Sequence, residues 1–262
     1  MRFYSSLKKL WVRTGLRRLV QLFPSSHYVL LSLLFFILLE LVTVFHRWIW
    51  LFIAILLVLM IYGIVLVRIE ERGRFKPTQT ILPLVTASGL TGFTLFIPLT
   101  SLVHLYFALS AIIFFLLLKH GARLAYPTWN WLISTVVLFL NVAVALGIRF
   151  HLYLPILATL ILVFIVSWLV SVQALRRVAA SLSHAMLLAV ALGLVLTQLA
   201  WTLQFLPIHF LIQAGVIVIV YYVLFHLLSR SLEGELRREH VVEYAALGSF
   251  ALLILLATAR WI

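Results

Sequence analysis

The sequence contains no cysteine and no aspartate, and only 10% of its 262 residues are charged. The lack of cysteine excludes disulfides, thiolate catalysis and cysteine-based metal sites. Because all seven acidic residues are glutamates, aspartyl nucleophiles and aspartate-rich metal motifs are excluded as well. A soluble domain is about a quarter charged. The charge content is therefore too low for a chain that folds in water.

Long apolar runs stand in place of the missing charges, and 65% of the residues are hydrophobic. A helix needs about 20 apolar residues to cross a bilayer, where the backbone must satisfy its own hydrogen bonds. Nine runs qualify. They are residues 28–45, 48–67, 81–99, 102–118, 128–146, 152–172, 182–203, 207–228 and 241–259. The sequence predicts an all-α integral membrane protein, a polytopic bundle of about nine transmembrane helices forming one domain over residues 28–262.

Two of the predicted turns between spans depend on single prolines, Pro98 and Pro207, because proline removes a backbone donor and disfavours helix before it. Lysine and arginine near span ends concentrate on the cytoplasmic side. Nine spans with an inner N-terminus place 17 of these residues inside and 3 outside. Without the turn at Pro98 the distribution is 12 against 8, and without the turn at Pro207 it is 15 against 5. The charges therefore favour a cytoplasmic N-terminus and an external C-terminus.

Residues 1–27 form a basic segment before the first predicted span. Four apolar residues in it share one helical face, Val12, Leu16, Leu19 and Phe23, and three arginines fall elsewhere, Arg13, Arg17 and Arg18. This pattern is typical of an interfacial helix that binds anionic lipids of the inner leaflet through its arginines. The alternative is a basic tail that only sets the orientation of the chain.

Glu40 is an ionisable residue well inside the first predicted span. Such a group is costly in lipid, by about 2.5–3.5 kcal/mol on insertion scales, and therefore suggests a function. A role in binding an ion or a substrate is one hypothesis. The other is structural, with Glu40 reaching the outer boundary or pairing with His46 or Arg47.

Six polar residues fall in the predicted outer half of the membrane and form a candidate intramembrane polar site. They are Glu40, His104, Asn141, Gln198, His209 and Gln213. If their faces converge, they form a polar cavity open to the outside. The alternative is a set of separate hydrogen bonds between helices.

The third predicted span is rich in small and hydroxyl-bearing residues. Ser88, Gly89 and Gly92 form a candidate helix-packing face, in which Ser88 and Gly92 are four residues apart. Small residues at this spacing let helices approach closely in lipid. An unwound binding segment, as in some transporters, is the alternative.

No zinc-protease motif, nucleophile elbow or phosphate-binding glycine loop occurs in the sequence. We therefore expect no catalytic residue, no cofactor, no metal and no nucleic-acid partner, and we favour a protein without enzymatic activity. The interpretation is a non-enzymatic component or assembly subunit of a membrane complex, with a membrane-protein partner. The alternative is a small permease or lipid-handling transporter that uses Glu40 and the outer polar residues. An intramembrane enzyme whose chemistry uses only His and Glu is a third alternative. The compact loops indicate the cell membrane of a prokaryote.

Overall fold

The computed structural model consists of α-helices and describes residues 26–45, 54–55, 58, 61, 77–97, 101–120, 127–176 and 178–259. Eight α-helices have defined bounds in these ranges. They are α1 (Ser26–Val44), α2 (Pro77–Phe93), α3 (Ser101–His120), α4 (Pro127–Leu152), α5 (Ile156–Leu175), α6 (Leu182–Leu203), α7 (Phe210–Leu232) and α8 (Arg238–Ala257). A short 3₁₀ helix, Thr94–Phe96, follows α2.

Six helices in the described ranges are long and apolar enough to cross a membrane. Their apolar spans are Leu102–Lys119, Trp131–Leu152, Ile156–Leu175, Leu182–Leu203, Phe210–Leu232 and Arg238–Ala257. The apolar helices Tyr28–Val42 and Ile81–Phe96 are shorter. The prediction of an all-helical chain with several helices able to span a membrane is confirmed in this form.

Some of the sequence-based predictions concern parts of the chain outside the described residues. The interfacial segment with Arg13, Arg17 and Arg18 is one of them. The turn at Pro98 and most of the predicted span 48–67 are others.

Of two helix ends predicted from the sequence, one is confirmed and the other is wrong. The turn predicted at Pro207 is present, since α6 ends at Leu203 and α7 begins at Phe210. In contrast, α4 continues to Leu152 instead of ending at residue 146. Its last turn gains a hydrogen bond between His151 Nδ1 and the Gly147 carbonyl at 3.0 Å. The helix stops only where Tyr153 takes a left-handed φ of 54°.

The described helices belong to two compact units. In the first unit α1 packs against α3, and the ring centroids of Phe35 and Phe114 lie 5.0 Å apart at this contact. In the second unit α4 is central and packs against α2, α5 and α7. On its outer sides, α6 packs along α5 and α8 packs along α7.

Two connections lie close together at one end of the second unit. Residues 153–155 join α4 to α5, and residues 204–209 join α6 to α7. Side chains from both connections line the same cavity. We call this the paired-loop end. The connection between α7 and α8 lies at the other end of α7, about 35 Å away at the rise of an α-helix.

Candidate functional site

The six residues of the predicted polar site are divided between the two units. Glu40 and His104 belong to the first unit, whereas the other four belong to the second. Within the second unit, Gln198 is exposed on α6. Asn141 is buried in the middle of α4, and His209 and Gln213 lie at the beginning of α7.

Glu40 and His104 form a direct pair between α1 and α3. His104 Nδ1 lies 2.9 Å from Oε1 and 3.0 Å from Oε2 of Glu40. The Glu40 side chain is 27% exposed and the His104 side chain 66% exposed, so the pair lies at the edge of the helix contact. A carboxylate and a ring nitrogen at this distance form a hydrogen bond, which offsets part of the cost of placing polar groups against apolar helices.

Asn141 forms hydrogen bonds with α2 and with its own helix. Its Nδ2 donates to the carbonyls of Val85 and Val137, both at 2.8 Å. Its Oδ1 accepts a hydrogen bond from the Ser88 hydroxyl at 2.9 Å. Both donors of the amide and its oxygen are therefore engaged within the protein. This arrangement fastens α2 to α4 and leaves the amide little capacity for a ligand.

The glycines of the predicted packing face lie against α4, Gly89 beside Asn141 and Gly92 beside Val144. A β-carbon placed on Gly89 would lie 2.5 Å from Asn141 Nδ2, and one on Gly92 would lie 2.5 Å from Val144 Cγ1. Such distances are far below van der Waals contact. The two helices therefore approach as closely as they do because α2 has no side chain at these positions.

A cavity of about 600 Å³ opens at the paired-loop end. Arg149 in the last turn of α4, Gln204 after α6 and Gln213 in α7 supply its polar lining, while Phe150 and Leu206 are among its apolar residues. Arg149 Nη1 donates to the Leu154 carbonyl at 3.3 Å, which ties the side chain to the first connection. The volume of the cavity lies in the range of small-molecule sites in proteins.

The glutamines of this cavity differ in their hydrogen bonding. Gln213 Nε2 donates to the Ile208 carbonyl at 3.1 Å, which fastens the second connection to α7. The side-chain Nε2 and Oε1 of Gln204 are both buried and have no hydrogen-bond partner among the described residues. A buried amide without partners is rare in proteins, because its desolvation is not compensated.

His209 begins α7 and borders the same end of the unit. Burial of its ring, together with the neighbouring His151, lowers the pKa of His209 below the usual value for histidine. The ring is therefore neutral near pH 7. In this state Nδ1 accepts a hydrogen bond from the backbone N–H of Leu211 at 3.3 Å and caps the helix.

Arg149 and Gln204 were not among the site residues predicted from the sequence. Both lie at predicted span ends on the same side of the membrane, which is the one signal that links them. Within the described ranges, no group of three or more His, Asp or Glu side chains is placed to hold a metal ion.

The comparisons with known proteins give one match. A family model described as "Protein of unknown function (DUF5656)" matches residues 47–258. No curated protein matches the chain. No solved structure matches it either.

Proposed function

We propose that the chain, which belongs to the DUF5656 family of proteins of unknown function, is a non-enzymatic subunit of a larger membrane complex. The observation that carries this proposal is the packing of α8. Only 6% of its apolar span is buried within the chain, and Gly248 is its one buried residue within the span Arg238–Ala257. Apart from the side that packs along α7, this helix is therefore open to its surroundings.

The outward surface of α8 contains one place where another helix can approach closely. Ala245 and Ser249 are small, lie four residues apart and are both exposed. Small residues at this spacing permit close helix approach, which replaces the hydrophobic driving force in a membrane. The proposed occupant of this face is a transmembrane helix of a different membrane protein.

Site-specific crosslinking tests the proposal. Because the chain has no cysteine, an introduced cysteine is the only thiol in it that the reagent can label. The variants Ser249→Cys and Leu253→Cys, labelled with a photoreactive maleimide in native membranes, should each yield one protein adduct of the same mass. The control is Leu194→Cys on α6, an apolar residue that is 57% exposed, which should yield lipid adducts only. The crosslinked protein should also copurify with the unmodified chain at a fixed ratio.

Two results would contradict a role as a subunit. Lipid adducts alone at positions 249 and 253 would show that α8 faces the bilayer. An adduct of twice the chain mass of 29.9 kDa would show a homodimer instead of a different partner.

We also propose the finer topology, with nine spans, a cytoplasmic N-terminus, an external C-terminus and a location in a prokaryotic cell membrane. Arg13, Arg17 and Arg18 would then bind anionic lipids of the inner leaflet. The support is the distribution of basic residues, 17 against 3. Reporter tags on the two termini should report opposite compartments, and the same compartment for both would refute this threading.

A small permease or lipid-handling transporter is the second candidate, and the contact between Glu40 and His104 at 2.9 Å favours it. In this proposal the pair alone carries the proton. In vesicles containing a pH-sensitive dye, the wild-type chain should then dissipate an imposed pH gradient, and Glu40→Gln should abolish the flux. The glutamine can still accept a hydrogen bond from His104, so a purely structural pair predicts equal dye traces for both proteins.

A further inference from the structure

The cavity at the paired-loop end combines a cation with an apolar wall, and no acidic side chain among the described residues of the second unit lies near it. The described acidic residues of this unit are Glu233 and Glu235 in the connection between α7 and α8, and Glu239 and Glu243 in the first two turns of α8. That connection is at the opposite end of α7. At such a separation the charge of Arg149 is not neutralised by these carboxylates.

Arg149 is held in position for an anion. Its Nη1 is fixed to the Leu154 carbonyl, which uses one of the several N–H donors of the guanidinium. A guanidinium presents its remaining donors as a planar fork that matches two oxygens of a phosphate or carboxylate. Because the side chain comes from the last turn of α4, it also lies at a helix end, close to the depth expected for lipid headgroups.

The buried amide of Gln204 is the second, independent observation. Both of its polar atoms lack a partner within the described residues, although Gln204 lines the cavity. Gln204 Nε2 is therefore a donor without an acceptor in a residue of the cavity wall. A bound group with several acceptor oxygens could take hydrogen bonds from Arg149 and from this Nε2.

We propose that this cavity is a binding site for a phosphate ester, held by Arg149 and Gln204, with its apolar part against Phe150 and Leu206. The side chains of Phe150 and Leu206 are 51% and 42% exposed, so they offer apolar surface to an acyl chain. A phospholipid headgroup and a soluble phosphate ester share this chemistry. The inference is independent of the proposed role as a subunit, which depends on α8.

Native mass spectrometry of the detergent-purified full chain tests the site. The probes are dioleoylphosphatidylglycerol, dioleoylglycerol with the same acyl chains but no phosphate, and soluble glycerol phosphate. We expect saturable binding of the phosphatidylglycerol and none of the dioleoylglycerol. If millimolar glycerol phosphate competes with the lipid, the natural ligand is a soluble phosphate ester. If it does not compete, the ligand is a phospholipid. Both results support a phosphate site.

Variants of Arg149 separate the effect of its charge from the effect of its bidentate hydrogen-bonding geometry. Arg149→Gln should weaken binding by about tenfold to a hundredfold, because it removes a charge-assisted hydrogen bond. Arg149→Lys keeps the charge but loses the bidentate geometry, so its loss should be smaller. Gln204→Leu should weaken binding by about threefold to tenfold while improving thermal stability without lipid, because the unpartnered amide is gone.

Arg176→Gln is the matched control. Arg176 is an exposed arginine directly after α5, at the opposite end of that helix, and its replacement changes the net charge equally. This variant should bind phosphatidylglycerol as the wild type does. Equal affinity of wild type, Arg149→Gln and Gln204→Leu would overturn the proposal, and so would equal binding of dioleoylglycerol and phosphatidylglycerol. If Arg149→Gln does not fold, Arg149→Lys and Gln204→Leu decide the question.

Discussion

Asn141→Asp is expected to destabilise the second unit by about 3–5 kcal/mol, the cost of leaving an uncompensated charge in a protein interior. The side chain is 7% exposed, and its Nδ2 donates to the carbonyls of Val85 and Val137. A carboxylate has no donor, so it would place negative oxygens against both carbonyls. If it takes up a proton instead, it donates one hydrogen bond where the amide donates two.

Asn141→Ala is the control for this prediction, because it removes the same hydrogen bonds without adding a charge. Hydrogen bonds between helices in membranes contribute about 0.6 kcal/mol on average and about 1.7 kcal/mol at most. We therefore expect a loss of about 1–2 kcal/mol for alanine. Reversible unfolding in mixed micelles, followed by circular dichroism, measures both values. If aspartate proved no more harmful than alanine, water would reach position 141, and the dry contact described above would be wrong.

The helices were predictable because their cause is local. A run of about 20 apolar residues in lipid has to be helical whatever surrounds it, and α6 begins and ends where its apolar run does. The end of α4 was not predictable in the same way. Gly147 and Arg149 resemble a helix end in sequence, but His151 and Arg149 satisfy nearby carbonyls and extend the helix into the paired-loop end.

The contacts of the candidate site could not be predicted, because a single sequence does not say which helices are neighbours. Asn141 was grouped with other polar residues, and Ser88 with a packing face. The structure joins these two residues by a hydrogen bond of 2.9 Å. Asn141 and the small residues of α2 therefore belong to the same contact between α2 and α4. Likewise, the partner of Glu40 is His104 on another helix, whereas sequence spacing suggested His46 or Arg47.

The packing of α5 against α6 gives a second example. Ala185, Ala189 and Gly193 are four residues apart and buried, and a β-carbon on Gly193 would lie 3.2 Å from Phe164 Cε2. The spacing is the same as that of Ser88 and Gly92. In the sequence this stretch is surrounded by leucine and valine, so it is harder to distinguish from an ordinary apolar span. A small-residue pattern alone therefore does not predict which helix lies against it.

Gly92→Ala is expected to lower the free energy of unfolding by about 2 kcal/mol, within the range for overpacking a close contact. The added β-carbon would lie 2.5 Å from Cγ1 and 3.0 Å from Cγ2 of Val144. A β-branched side chain in a helix has one strongly preferred rotamer, so Val144 cannot turn away and the helices must separate. Gly193→Ala should be nearly neutral in the same assay, since its contact of 3.2 Å is milder and alanine favours helix by about 1 kcal/mol over glycine.

A double substitution tests whether the new β-carbon at position 92 contacts the Val144 side chain. Val144→Ala removes both γ-carbons that obstruct the new β-carbon, so Gly92→Ala with Val144→Ala should be more stable than the two single effects predict by addition. We expect a coupling free energy of about 1–2 kcal/mol in favour of the pair, as is found for residues in direct contact. Gly193→Ala combined with Val144→Ala should be additive, because Gly193 contacts Phe164 instead. Additivity of the pair at positions 92 and 144 would mean that α2 does not lie against α4 at this point, and the amide contact of Asn141 one turn away would lose its support as well.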